Sequence, residues 1–235
     1  MATTLLDFAM GPLFAITFTF MVLGLLRLIV LHIAQVGESI RRLSNREFGL
    51  RGRLRELITW FVPVRHVYRR RPVISIVSFV FHVGLIAIPL LLLEHIALWT
   101  RVFGFGWPGF PPLLADVVTL IVIVSGLVLL GFRMVDEGGR SLSSPMDYLL
   151  LVVLLAAVTS GFMAMHPGVN PLSYRPMLLT HVLSSELAFV LIPTTKLAHC
   201  VLFPFDRVSS EVFWKMPVGA GDKVARELHG EEARV

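Results

Sequence analysis

Thr180 to His199 reads THVLSSELAFVLIPTTKLAH, an apolar run with a histidine near each end, the two eighteen positions apart. Read as one α-helix, that separation is about five turns, so His181 and His199 share a face roughly 27 Å apart along the axis. A bilayer's hydrocarbon core is about 30 Å thick. Such a helix carries one imidazole near each side of a membrane, and the rest of the chain is read for what surrounds it.

Composition supports a membrane setting. Of 235 residues, 55% are hydrophobic and 16% charged, and the mean hydropathy is +0.77, well outside the range of soluble domains. Apolar runs long enough to cross a bilayer lie at about 11–34, 74–99, 113–134, 147–166 and 178–204. Pro111-Pro112, Pro145 and Pro176 fall near the starts of the last three, where proline is best tolerated. The expected fold is all-α: an integral membrane bundle of five transmembrane helices over residues 1–205, then a cytoplasmic tail over 206–235. The N-terminus lacks a basic segment ahead of its first long apolar run, so no cleaved signal peptide is expected.

Charge sets the expected orientation. Ten arginines lie between Arg41 and Arg71 in the first loop, whereas the second and fourth loops carry one each, Arg101 and Arg175. Arg133 and Arg140 sit in the third loop, and the tail adds Arg207, Lys215, Lys223, Arg226 and Arg234. The positive-inside rule then puts the N-terminus outside and the C-terminus in the cytoplasm of a prokaryotic cell, with the chain multi-pass in the inner membrane. The net charge of +5 is read as attraction to anionic lipid headgroups rather than nucleic acid. Leu54 to Val64 reads equally as a helix lying along the membrane surface and as an ordinary loop helix. A single cysteine, Cys200, excludes an internal disulfide, covalent c-type haem attachment and a self-contained iron–sulfur cluster.

On this topology the histidines sort by depth. His82 and His199 fall in the cytoplasmic halves of helices 2 and 5; His95 and His181 fall towards the outer ends of the same two helices. One histidine at each of two depths on each of two helices is the bis-histidine arrangement of a dihaem b membrane cytochrome. Iron held by two imidazoles has no open position for substrate, so such a site transfers electrons. The plainer reading is four structural histidines bonded between helices, but ionisable groups in membrane spans are costly and usually functional. Gly84, Gly126 and Gly161 allow close approach of either a macrocycle or a neighbouring helix. On an ideal helix the thirteen residues from His82 to His95 leave the two rings about 140° apart, and Pro89 between them is expected to kink the helix or shift its register.

Phe81–Gly84 reads FHVG, Glu94–Ile96 reads EHI, and helix 5 adds Pro193 and Lys196 to its histidine pair. Over about residues 74–205 this resembles the gamma subunit of respiratory nitrate reductase. Related membrane cytochromes serve heterodisulfide-reductase-like and sulfate-reducer transmembrane redox complexes. The resemblance implies two haem b groups, a cytoplasmic-side one on His82 and His199 and an outer one on His95 and His181. It also implies exchange of electrons between the quinone or menaquinone pool and a peripheral iron–sulfur or other redox subunit, or an external multihaem cytochrome c. Helix 2 departs from the family: its histidines are wider apart here, and Leu92 stands where the shorter spacing would place one. His166, at the outer end of helix 4, is the substitute ligand.

Other residues carry two readings each. Glu94 is a candidate acceptor for a proton released by quinol oxidation if it is desolvated, or an interfacial partner of Arg101. Lys196 either neutralises a haem propionate or snorkels to lipid headgroups. Trp99, Trp107 and Tyr174 fit an outer aromatic belt. The rival to the cytochrome reading is a haem-free transporter or assembly anchor whose histidines relay protons or bind a metal.

Overall fold

The computed structural model describes residues 2–42, 71–203, 205, 226, 227 and 230, and these contain helices and turns with no strand. The Leu54–Val64 segment and most of the 206–235 tail lie outside the described residues. Five helical segments are long and apolar enough to span a membrane: Leu5–Gln35, Pro72–Leu91, Pro112–Val135, Pro145–Met165 and Tyr174–Thr194. Each of the five apolar runs therefore contains a helix long enough to span, and the all-α multi-pass reading holds.

In chain order, α1 (Ala2–Phe8) passes through a π-turn, Ala9–Leu13, into α2 (Phe14–Arg42), and together they form the first span. The second is α3 (Pro72–Leu91), followed at once by α4 (Leu93–Phe103). Next come α5 (Pro112–Val135), the short α6 (Glu137–Ser141), α7 (Pro145–Met165) and α8 (Tyr174–Thr194), with a 3-10 turn at Lys196–Ala198. Pro72, Pro112 and Pro145 each open their helix, where a missing N–H removes no internal bond. Ser144 caps α7 through Asp147, whose carboxylate accepts from the Ser144 backbone at 2.8 Å and its hydroxyl at 2.7 Å.

The chain falls into two compact units, residues 1–18 with 64–191 and residues 19–63 with 192–235. The first unit is built on Phe81, Ile88, Val122, Leu151, Leu155 and Val158, contributed by α3, α5 and α7. Two of the glycines singled out from the sequence serve this packing. A Cβ on Gly84 would collide with the Val122 side chain, and one on Gly126 would come 2.7 Å from Leu155 and 2.8 Å from Phe81. Large apolar side chains such as Val83, Val124, Leu127 and Val152 remain exposed along the same helices, as a surface solvated by lipid requires. In the second unit Gly24 accommodates Pro193, since a Cβ there would stand 2.6 Å from the proline ring.

Two expected spans are not single helices. The 74–99 segment breaks at Leu92, which is extended (φ −73°, ψ 134°) between α3 and α4. The 178–204 segment breaks after Thr194: Thr195 is extended (φ −133°, ψ −172°), its hydroxyl accepts from the Leu197 N–H, and residues 199–203 are helical again. The five-turn argument that put His181 and His199 on one face of one helix fails with it. In each case a proline lies two or three residues before the break, Pro89 and Pro193, where ring and missing N–H weaken the helix.

Candidate functional site

The break at Leu92 is a constructed feature, because the carbonyls of Ile88, Leu90 and Leu91 around it each meet a donor. The Ile88 carbonyl accepts from the Leu92 N–H at 3.1 Å and lies 3.2 Å from His95 Nδ1. Trp107 donates its indole N–H to the Leu90 carbonyl at 2.6 Å, and the Phe110 N–H donates to the Leu91 carbonyl at 2.8 Å. Apolar surroundings leave no water to do this. Gly109 is what lets the loop in: a Cβ there would lie 2.8 Å from the Leu91 carbonyl oxygen and 2.7 Å from Leu93. After α4, Gly104 turns the chain with φ +77°, a conformation that favours glycine.

With α4 redirected, His95 meets His181. Their ring centroids are 6.1 Å apart and the planes differ by 15°. His181 is pinned from the other side: its Nδ1 is 2.8 Å from the Ala157 carbonyl on α7. A Cβ on Gly161, one turn along α7, would approach that Nδ1 to 2.8 Å. Of the three glycines weighed in the sequence, Gly161 alone makes room for a histidine. A Nδ1–H donated to a carbonyl leaves the lone pair on Nε2, the arrangement typical of ligating histidine. Two imidazoles bonded through one nitrogen each to a common metal, at about 2 Å per bond, place their ring centres about 6 Å apart. The separation of the His95 and His181 rings is the one bis-imidazole ligation needs.

His82 is on α3 with its ring exposed, its Nδ1 2.6 Å from the Ser78 carbonyl, and Phe81 edge-on at 5.6 Å. His199 follows the 3-10 turn, also exposed, with Nδ1 2.5 Å from the Lys196 carbonyl. His82 lies in the first unit and His199 in the second. Both bring Nδ1 to a backbone carbonyl, as His95 and His181 do. Lys196 is exposed at the start of that turn.

His166 is engaged at both nitrogens. Its Nδ1 is 2.8 Å from the Phe162 carbonyl, its Nε2 is 3.3 Å from the Asp116 carboxylate, and Phe162 stacks on it at 4.1 Å. Of the two residues the sequence offered as partner to His181, His95 is the one whose ring stands beside it. Among the described residues, no three His, Cys, Asp or Glu side chains converge as a metal cage; two imidazoles are what the site offers.

Glu94 occupies the first turn of α4 and is exposed, so the protein itself does not desolvate it as its proposed role asks. The desolvated acid is one that sequence reasoning missed. Glu186, on α8, is 3% exposed, and neither carboxylate oxygen has a hydrogen-bond partner among the described residues. Its signal was in plain view, as the one acidic residue in the run from Thr180 to Pro193.

Beside the histidine pair, Trp99 stands one turn along α4 from His95. It packs against Phe103 at 5.0 Å, Phe18 at 5.8 Å and Trp107 at 6.2 Å. At the opposite end of α3, Arg71 donates to the Asp136 carboxylate at 2.7 Å and lies over the Phe132 ring. That guanidinium, together with the Gly139 N–H, holds the Asp136 carboxyl below its ordinary value.

No family model matches the chain, and no solved structure matches it. A protein of Nitratidesulfovibrio vulgaris (strain Hildenborough) is 31% identical over 206 residues, covering 85% of this chain and 89% of the relative. The likeness covers most of both chains.

Proposed function

We propose a role for this chain, which belongs to the same family as the Nitratidesulfovibrio vulgaris protein: it is the dihaem b membrane subunit of a respiratory redox complex. The observation that carries the reading is the His95–His181 pair, two imidazoles at 6.1 Å with near-parallel planes, in a segment where an unpartnered polar ring is costly. His95 and His181 would hold one haem b, and His82 and His199 the other. Bound haem supplies one-electron transfer, and two histidine ligands leave it no open position for substrate.

The chain's own residues do the rest. Ala157 and Ile88 fix His181 and His95 through their carbonyls, which sets ring orientation and raises ligand basicity. Lys196, at the start of the 3-10 turn, offers a cation for a propionate. Glu94, beside His95 on α4, would take up a quinol proton only where lipid or the bound quinol, rather than the protein, desolvates it. In this reading the N-terminus is outside, the arginine-rich first loop and the tail are cytoplasmic, and the membrane is the inner one. The basic face docks a peripheral iron–sulfur subunit, and quinone or menaquinone is the membrane-side substrate.

The test is a reduced-minus-oxidised spectrum of the purified full-length protein with a pyridine haemochrome titration. About two b haems per chain are expected, and each of His181→Ala and His199→Ala should lose about one. Absence of b-type haem ends the reading in favour of a haem-free transporter or anchor. Full haem content in both variants overturns the ligand set.

A further inference from the structure

Glu186 is unexplained by the role just proposed. It is 3% exposed, and both its oxygens are buried without a hydrogen-bond partner among the described residues. It lies five residues beyond His181 on α8, about 7.5 Å along the axis. Phe189, three residues further, shares its face and packs against Phe14 at 6.0 Å and Phe18 at 5.9 Å. The face that carries Glu186 is therefore turned towards the first span.

That stretch of the first span departs from a plain α-helix. Ala9–Leu13 is a π-turn containing Pro12, and π-turns within helices are frequent at functional sites. Thr17, 7% exposed, spends its hydroxyl on the carbonyls of Leu13 and Phe14, so the backbone, rather than Glu186, takes that donor.

An ionised carboxylate with neither donor nor counter-charge is not tolerated in such surroundings; the group holds a proton or a cation. Nor does the acid anchor a neighbour, since neither of its oxygens bonds to any of the described residues. We propose that Glu186 is an intramembrane proton-exchange site, a carboxyl in the fifth span that binds and releases one proton. The step is R–COOH to R–COO⁻ plus H⁺, with the proton leaving to water and returning from it, and no other bond changes. On the redox reading, charge arriving at His181 is felt by this carboxyl through a low dielectric. The exchange itself stands on the burial and the missing partners, whether or not haem is present.

Infrared spectroscopy of the full-length protein in lipid, in water and after transfer to deuterium oxide, tests this. Expected is a carboxylic C=O band from a buried acid that shifts within minutes of the transfer. The band should vanish in Glu186→Gln and return, displaced, in Glu186→Asp. No band assignable to residue 186 overturns the proposal, because the carboxylate is then ionised and paired. A band unmoved after overnight exposure also overturns it, because the acid is then sealed and merely structural. If Glu186→Gln does not fold, the Glu186→Asp comparison decides alone: a spectrum identical to wild type counts against the site. Haem content is measured on the same samples, so failure of the redox reading and failure of this one are read separately.

Discussion

Gly161 and His181 define the site at the level of single residues. A methyl group added at position 161 would lie 2.8 Å from His181 Nδ1 and 2.9 Å from its Cε1, too close for either to stay put. The imidazole must then swing off the Ala157 carbonyl. Gly161→Ala is expected to lower stability by about 1–3 kcal/mol, the usual cost of overpacking. Gly84→Ala and Gly126→Ala should destabilise too, through collision with Val122 and with Leu155 and Phe81. On the dihaem reading Gly161→Ala alone also disturbs the haem at His181, so spectra and thermal unfolding of the three variants side by side make the check. Equal spectral effects in all three would show that Gly161 is packing like the others. Position 161 was legible in the sequence only as a small residue. That it faces an imidazole depends on the meeting of α7 with α8, which no local pattern encodes.

The decisive elements are the two broken helices. Their prolines were visible, and Pro89 was expected to bend helix 2. Hidden was the position of the break, three residues later at Leu92, because it is set by donors from a loop fifteen and more residues downstream. Trp107 is the clearest of these. Trp107→Phe keeps an aromatic ring but leaves the Leu90 carbonyl without its 2.6 Å donor. An orphaned polar group of this kind costs about 1–3 kcal/mol, which denaturant unfolding in detergent would register. A cost within error of zero would mean that α3 and α4 hold their break without the loop. In the fifth span the sequence misled more seriously. Eighteen residues made five turns only while the helix was assumed continuous, and the extended Thr195 removes that assumption. The histidine spacing still marks the segment, but it no longer sets a common face.

At the far end of α3, the Arg71–Asp136 bond ties the start of that helix to the cap of α6. The Asp136 carboxyl is lowered chiefly by the Arg71 hydrogen bond and then by the Gly139 N–H. A lowered folded-state value gives a contribution that is present above the ordinary aspartate value of about 3.9 and is lost as pH falls through the folded one. Arg71 is exposed and Asp136 partly so, so the effect is small and screened by salt. Wild type should unfold at a higher temperature than Asp136→Asn at neutral pH, with the gap closing below about pH 4. A gap that persists in acid would assign the difference to the lost cap of α6 instead.

For the whole molecule, the five spans were legible from hydropathy alone, because lipid demands long apolar helices and little else makes them. Direction across the membrane is a separate question, and on it depends which face docks a partner. The charge pattern puts Cys200 near the cytoplasmic side and Gly168 near the outer side. Cys200 is the sole cysteine and is exposed, which makes it a native reporter. A membrane-impermeant maleimide should leave it unlabelled in intact spheroplasts and label it in inverted vesicles. Gly168, where an added side chain meets nothing within 4 Å, supplies the converse probe: Gly168→Cys in a Cys200→Ser background should label in spheroplasts. If the two patterns are exchanged, the arginine-rich loop faces outward. A cytoplasmic iron–sulfur partner could not then reach it, and the His95–His181 pair would stand at the inner side.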